Sequence, residues 1–225
     1  MISKPRKNKK RGPRHISRSM EILKALLLVV VIGIILRIFL FNPFRIHDMA
    51  MENGLYPGDF LLASRLSYKM DKPMSGDLVL FEHPLHPGEN LVRRIIATEG
   101  HTVEINGKTV YVDGEIFSEP GTAQHSDYRI LPPAFSNRDY MQPQQVPPAH
   151  IFVLGDNRDT AEDSRTFGCV PNSSIVGKGL MVYFSWAPDP NAPKLESPYI
   201  IPALHLFFYN VYSFPSRVRW DRLFI

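Results

Sequence analysis

Apolar positions in this chain follow two patterns, one long run near the N-terminus and many short runs after it. From Ala25 to Leu36 every residue is apolar or glycine, Ile22 and Leu23 precede the run, and Ile38-Phe39-Leu40-Phe41 extends it beyond Arg37. That approaches the roughly 20 residues needed to cross a hydrocarbon core at 1.5 Å per residue, so a membrane helix is predicted over residues 21–41. Lys24 and Arg37 lie near its two ends, where long cationic side chains reach the headgroups. The sequence that follows, Asn42-Pro43-Phe44-Arg45, lacks the small-x-small pattern of a cleavage site, so the helix reads as an uncleaved anchor.

Beyond the anchor, Phe60-Leu61-Leu62, Leu78 to Phe81, Val92 to Ala97, Val103 to Ile105, Thr109 to Val112, Ile151 to Leu154 and Leu180 to Phe184 read as strands. Pro57-Gly58-Asp59, Ser75-Gly76-Asp77, Asn106-Gly107 and Asp113-Gly114 punctuate them, and Asn-Gly is a strong hairpin signal. No long segment of helical period is evident outside the anchor. The predicted fold class is therefore mainly β, with a domain over 42–225 of antiparallel strands. Residues 115–149, rich in Pro, Gln, Ser and Asp, read as a loop or small cap. The aromatic C-terminal stretch, with Leu206-Phe207-Phe208-Tyr209 and Trp220, is expected in the core, the alternative being the bilayer interface.

Length and charge narrow the picture. A chain of 225 residues, less a tail and a span, leaves one domain's worth of core. Lys4, Arg6, Lys7, Lys9, Lys10, Arg11, Arg14 and Arg18 crowd residues 1–20 with no acid among them; removing these eight charges from the whole-chain +4 leaves −4. The basic character thus belongs to a tail that is expected to stay on the cytoplasmic side of the membrane, with the main domain on the other side. Nucleic acid is not an expected partner. Cys169 is the sole cysteine, which excludes an internal disulfide, and its apolar neighbours suggest a buried structural thiol. His83, His86, His101, His125 and His150 show no ligand spacing, so neither metal nor cofactor is expected. Asn172-Ser173-Ser174 fits a glycosylation sequon that by itself means little.

The stretch Gly155-Asp156-Asn157-Arg158-Asp159-Thr160-Ala161-Glu162-Asp163-Ser164-Arg165 is too polar for a core and too rich in turn formers for a helix, and reads as a turn built on a buried ionic network. Together with Ile46 to Met51, Leu91 to Ile96 and the apolar span, it resembles the bacterial type I signal peptidases, the membrane-bound serine–lysine proteases that remove signal peptides from exported proteins. Pro57-Gly58-Asp59-Phe60-Leu61-Leu62 and Gly100-x-Thr102-Val103-Glu104-Ile105 fix the register of the two earlier motifs.

The resemblance implies a mechanism that this chain does not carry. A serine–lysine hydrolase needs a hydroxyl nucleophile, a lysine neutral at working pH and donors aimed at an oxyanion. The family's oxyanion-stabilising serine falls on Asp48, its nucleophile on Ala50, its lysine base on Arg93 and the serine that orients that lysine on Ala161. Its following Pro-Thr falls on Asn53-Gly54. Arginine keeps its proton in proteins and cannot act as that base. Asp156, Arg158, Asp163, Ser164 and Arg165 match the supporting pattern, and the charged four are expected to form a compact cluster. Ser64, Ser67 and Ser75 near Lys69 and Lys72 offer no convincing replacement dyad.

The resemblance therefore implies a membrane-anchored, non-cleaving homologue that binds exported preproteins, signal peptides, other extended peptides or a protein partner, with membrane lipids around its anchor. The alternative is an active signal peptidase with substituted machinery. Asp48 and Arg93 are expected to form a salt bridge within about 4 Å that fills the altered site.

Overall fold

The computed structural model describes residues 18–194 and 199–225; residues 1–17, which hold most of the expected basic tail, lie outside the described residues. The chain divides into two units, Met1–Ile38 and Phe39–Ile225. In the first, helix α1 (Arg18–Phe39) takes up the apolar run, and its described apolar side chains from Ile22 to Ile34 are exposed on every face. Among the described residues no helix is long and apolar enough to cross a membrane. The helix ends before the predicted Phe41 because that residue already pairs with Ser64 in the sheet.

The second unit is built from antiparallel strands: β1 (Phe41–Arg45), β2 (Asp59–Ser64), β3 (Leu78–Glu82), β4 (Asn90–Thr98), β5 (Thr102–Asn106), β6 (Thr109–Val112), β7 (Glu115–Ile116), β8 (Tyr140–Gln145), β9 (His150–Leu154), β10 (Val170–Pro171) and β11 (Ile175–Ser185). Single-turn helices α2 (Ser67–Met70) and α3 (Ser164–Phe167) and a longer α4 (Ile200–Arg217) complete it. The larger sheet runs β1-β2-β11-β3-β4-β9-β10 and the smaller β7-β6-β5-β8.

The central strands are covered on both faces, and their side chains sort by the two-residue alternation of a pleated strand. β9 sends Ile151 and Val153 into a cluster with Val79, Phe81, Ile95 and Val170, and sends Phe152 and Leu154 into another with Ile96, Val103, Ile105 and Val110. A third cluster joins Ile46, Met51 and Leu55 to Leu61, Leu80, Val92 and Val182, and so fastens the loop after β1 to the sheet. A fully buried Leu or Met contributes about 1.5–3 kcal/mol. This loop is therefore held as firmly as a strand.

Three elements depart from the pattern read along the chain. Residues 115–149 contain β7 and the edge strand β8, which pairs with β5 despite Pro143. α4 is an 18-residue helix where none was predicted. Most of its large apolar side chains, and Trp220 after it, are exposed, which corrects the expectation that they enter the core.

The C-terminal residues close the domain. Phe224 N–H donates to Val182 O, and Val182 N–H donates to Ile225 O, each at 2.7 Å. Arg222 Nη2 reaches the fully buried Asp59 carboxylate at 2.7 Å, and Ser185 Oγ donates to the same group at 2.6 Å. Burial alone would raise the Asp59 carboxyl, but these bonds and the Tyr56 N–H outweigh it and hold the group below its ordinary range. Gly58 beside it is required by its backbone, at φ 91° and with a Cβ that would lie 2.0 Å from the Trp186 carbonyl oxygen.

Candidate functional site

The four positions that the resemblance singles out, Asp48, Ala50, Arg93 and Ala161, come from three separate segments that the fold brings together. Asp48 and Ala50 lie on the loop after β1, where Glu52 N–H donates to Met49 O and Leu55 N–H to Met51 O to make a tight double turn. Arg93 lies in β4 opposite Val79. Ala161 lies in the polar turn between β9 and α3, its N–H bonded to Asn157 O at 3.1 Å. Asn157 N–H in turn donates to Ala50 O at 2.9 Å, which ties the first segment to the third.

Asp48 and Arg93, expected to pair, do so with Nη1 and Oδ2 2.8 Å apart. The partners are unequally placed: the arginine side chain is 2 % exposed and the aspartate 41 %. Arg93 also donates through Nη1 to Val92 O at 2.6 Å and through Nε to Glu162 O at 2.8 Å. A buried guanidinium needs such acceptors, since leaving it unpaired costs several kcal/mol. Ala161 precedes the residue that supplies one of them. Gly155 forms the floor: a Cβ there would lie 2.3 Å from the Ala161 Cβ and 2.6 Å from Ala50 O, so the alanine methyl and the loop backbone close over it.

The ionic support is arranged as separate pairs rather than one cluster, which corrects the expectation for Asp156, Arg158, Asp163 and Arg165. Asp156 accepts a bidentate bond from Arg94 at 2.8 and 2.7 Å and a third from Thr122 Oγ1 at 2.6 Å. Arg158 pairs with Glu119 and donates through Nε to Gly155 O at 3.1 Å. Only Asp163 and Arg165 pair within the motif, at 2.8 and 2.7 Å, while Asp163 also caps α3 and accepts Gly155 N–H at 3.0 Å. Ser164 Oγ accepts Val153 N–H at 2.9 Å, locking α3 onto β9. Arg94 stood beside Arg93 in the motif and was the readable signal; nothing in the spacing marked Glu119 or Thr122. A second network was not read at all: Lys108 and Arg138 neutralise the nearly inaccessible Asp159 and Asp139 carboxylates, Lys108 to Asp159 at 2.9 Å and Arg138 to Asp139 at 2.7 Å.

The remaining candidate groups are committed elsewhere. Ser75 Oγ donates to Ile96 O at 2.7 Å, Ser64 Oγ accepts Ser67 N–H at 3.2 Å, and Lys72 is 90 % exposed, so no desolvated lysine faces these hydroxyls. His83 is buried; its Nδ1 accepts Leu85 N–H at 3.0 Å, and its Nε2 faces Glu162 Oε1 at 3.4 Å without hydrogen-bond geometry. Burial raises the Cys169 thiol above its ordinary value, which suits an inert thiol. Beside the Asp48–Arg93 pair a groove of about 360 Å³ is lined by Phe44, Ile46, His47 and Asp48 on one side and by residues 88–92 on the other. The second wall is the start of β4 and the two residues before it.

The family description "Signal peptidase, peptidase S26" matches residues 19–186. The chain belongs to this family. Among similar proteins, Signal peptidase I of Pseudomonas aeruginosa is 32% identical over 217 residues, covering 75% of this chain and 73% of the relative. Probable signal peptidase I-1 of Synechocystis sp. is 31% identical over 171 residues, with 73% and 82% covered. Signal peptidase I of Aquifex aeolicus is 26% identical over 244 residues, with 86% and 94% covered. Asn53, in the turn after Ala50, has φ 82°, a value that a proline ring cannot adopt.

Proposed function

We propose that this S26 family member is a membrane-anchored signal peptidase homologue that binds an extended peptide without cleaving it. The observation behind this reading is the Asp48–Arg93 ion pair, which fills with a fixed charge pair the volume where the family's chemistry requires a neutral amine and a hydroxyl. Ala50 and Ala161 supply no hydroxyl, and a guanidinium cannot accept a proton. The binding half of the reading rests on the groove beside that pair. Its Phe44, Ile46, Leu91 and Val92 suit small apolar side chains, and β1 is an edge strand with one side open to an added strand. The anchor half rests on α1, whose exposed apolar surface is costly in water, and on the apolar sequence continuing to Phe41. Its basic N-terminal flank puts the tail in the cytoplasm and the β domain outside.

The test is peptide binding by the full chain in detergent micelles, read by fluorescence anisotropy of a labelled peptide bearing an Ala-x-Ala segment, with mass spectrometry of the recovered peptide. Saturable binding that weakens tenfold or more in Leu91→Asp, about 1.4 kcal/mol, with the peptide recovered intact, supports the reading. Absence of binding, or binding indifferent to Leu91→Asp, removes the groove from the account.

A further inference from the structure

Away from the groove, the segment between β2 and β3 carries Arg65, Lys69 and Lys72, and all three line one cavity of about 600 Å³. This segment, with α2, makes one wall; Asn172 and the start of β11 make the other. The second wall sits tight against the sheet at Gly177, where a Cβ would lie 2.6 Å from Ser64 O, so glycine lets β11 pass the end of β2 there. Ile175, Val176 and Tyr68 add apolar surface to the lining. The acids nearby do not cancel the cationic charge. Asp77 is engaged by Lys178 at 2.7 Å and by the Tyr68 hydroxyl at 3.1 Å, and Glu99 meets Lys72 only at 3.8 Å, with both side chains exposed. Asp71 is the one carboxylate in the lining, which leaves it a net +2, three cations less one acid. A cleft lined by one sign of charge concentrates ions of the other.

A neutral group in the same lining is also unsatisfied. Asn172 donates its backbone N–H to Ala149 O at 2.8 Å, but its Oδ1 is buried with no hydrogen-bond partner among the described residues. Such an atom is costly unless a ligand or water completes it. A half-turn of the amide exchanges Oδ1 for the Nδ2 donors, so the group serves either a hydroxyl or an anionic oxygen. We infer that this cavity binds a phosphate ester, its anionic oxygens held by Arg65, Lys69 and Lys72 and its hydroxyl-bearing part by Asn172. Phosphate fits this lining better than carboxylate does, because its tetrahedral oxygens accept charge-assisted bonds from several directions, whereas a carboxylate offers two in one plane. The apolar lining suits the carbons of the ester, and the volume is that of a small-molecule site. Two sources carry this chemistry, a soluble phosphate ester and a phospholipid headgroup. Arg65 N–H donates to Leu40 O at 3.0 Å, and Leu40 directly follows α1 in the chain, which brings headgroups within reach of the cavity when α1 is the anchor. The inference does not rest on peptide binding in the groove.

The experiment uses the full chain in two settings. In dodecyl maltoside micelles, glycerol 3-phosphate is titrated by isothermal calorimetry. In nanodiscs of mixed phosphatidylglycerol and phosphatidylcholine, native mass spectrometry counts the lipids that stay on the released chain. The variants are the pair Lys69→Gln with Lys72→Gln, the pair Lys69→Arg with Lys72→Arg, Asn172→Asp, and Lys194→Gln as a control, since Lys194 is an exposed cation outside the lining. The inference expects saturable binding of glycerol 3-phosphate, or retention of phosphatidylglycerol over phosphatidylcholine. Either signal should weaken about tenfold or more in the glutamine pair and in Asn172→Asp, and persist in the arginine pair and in Lys194→Gln. Titration without lipid retention identifies a soluble ester as the ligand, and retention without titration identifies the headgroup; both carry the inference. Absence of both signals overturns it. Equal loss in Lys194→Gln and in the glutamine pair means that diffuse surface charge attracts the anion, and overturns it too. Both lysines are exposed, so the glutamine pair is expected to unfold at the midpoint of the unmodified chain, and its lost signal reports the cavity and not the fold.

Discussion

Arg93 and Asp48 form one ion pair with two unequal members, and the inequality sets what each substitution does. Removing Asp48 leaves a buried guanidinium with only backbone acceptors, whereas removing Arg93 leaves an aspartate that is 41 % exposed and can hydrate. Asp48→Ala is therefore expected to destabilise by about 1.5–3 kcal/mol, the range for hydrogen bonds to charged groups. Arg93→Met should change stability by less than about 1 kcal/mol, because an apolar residue of similar length replaces a desolvated charge. Urea unfolding of both variants checks the order, and a larger loss for Arg93→Met would contradict it. A second expectation concerns chemistry at the same place. Ala50→Ser alone should not confer cleavage, since Arg93 remains protonated and no group takes the serine proton; appearance of product from a preprotein with this single change would show that another base reaches position 50.

At the scale of elements, the polar turn from Gly155 to Arg165 is held by ionic pairs of two kinds: Asp156 and Arg158 tie it to Arg94 and Glu119 outside it, and Asp163 and Arg165 brace it from within. The pairs differ in how much they bury. Asp163 is fully buried, so Arg165→Ala is expected to cost roughly 3–5 kcal/mol, and Arg94→Ala similarly for the buried Asp156. Glu119 is part-exposed, so Arg158→Ala, whose loss leaves a carboxylate able to hydrate, should cost less than either. Unfolding midpoints rank the three; equal effects would mean that the turn melts as one unit. This is also where the sequence was half legible. The resemblance to the type I signal peptidases gathered Asp48, Ala50, Arg93 and Ala161, and the runs around Pro57 to Leu62 and Gly100 to Ile105 fixed the register of its motifs. It did not assign Asp156 to Arg94 or Arg158 to Glu119, because pairing across 62 and 39 residues depends on how strands stack and leaves no periodic trace. α4 was missed for a physical reason too: Pro202 and Pro215 and its many aromatic residues weaken the helical signal.

For the whole molecule, three buried or part-buried aspartates connect distant parts of the chain: Asp59 holds the C-terminus, and Asp139 and Asp159 hold the 115–149 region. Burial opposes the charge on each, but Arg222, Arg138 and Lys108 prevail and keep all three below the ordinary carboxylate range. A carboxyl depressed on folding stabilises the protein above its unfolded pKa of about 3.9 and loses that contribution as pH falls through the lower folded value. The unfolding midpoint should thus hold from pH 8 to 5 and fall below about pH 4. Asp59→Asn is expected to flatten part of that fall, and a midpoint that drops between pH 5 and 8 would contradict the assignment. The fold itself was largely legible, since alternating runs and glycine turns specify antiparallel strands, whereas the C-terminal closure joins residues 163 apart and was not.

The central claim is that this S26 family member does not hydrolyse peptide bonds at the Asp48–Arg93 site. The most direct test is incubation of the purified full chain, in lipid nanodiscs, with a purified preprotein carrying an Ala-x-Ala site, with mature product quantified by mass spectrometry between pH 6 and 9. The account predicts product no faster than in empty nanodiscs, at every pH and for Arg93→Met alike. Turnover by the unmodified chain at the expected bond, abolished by Asp48→Ala or Arg93→Met, would contradict it and identify the charge pair as working machinery.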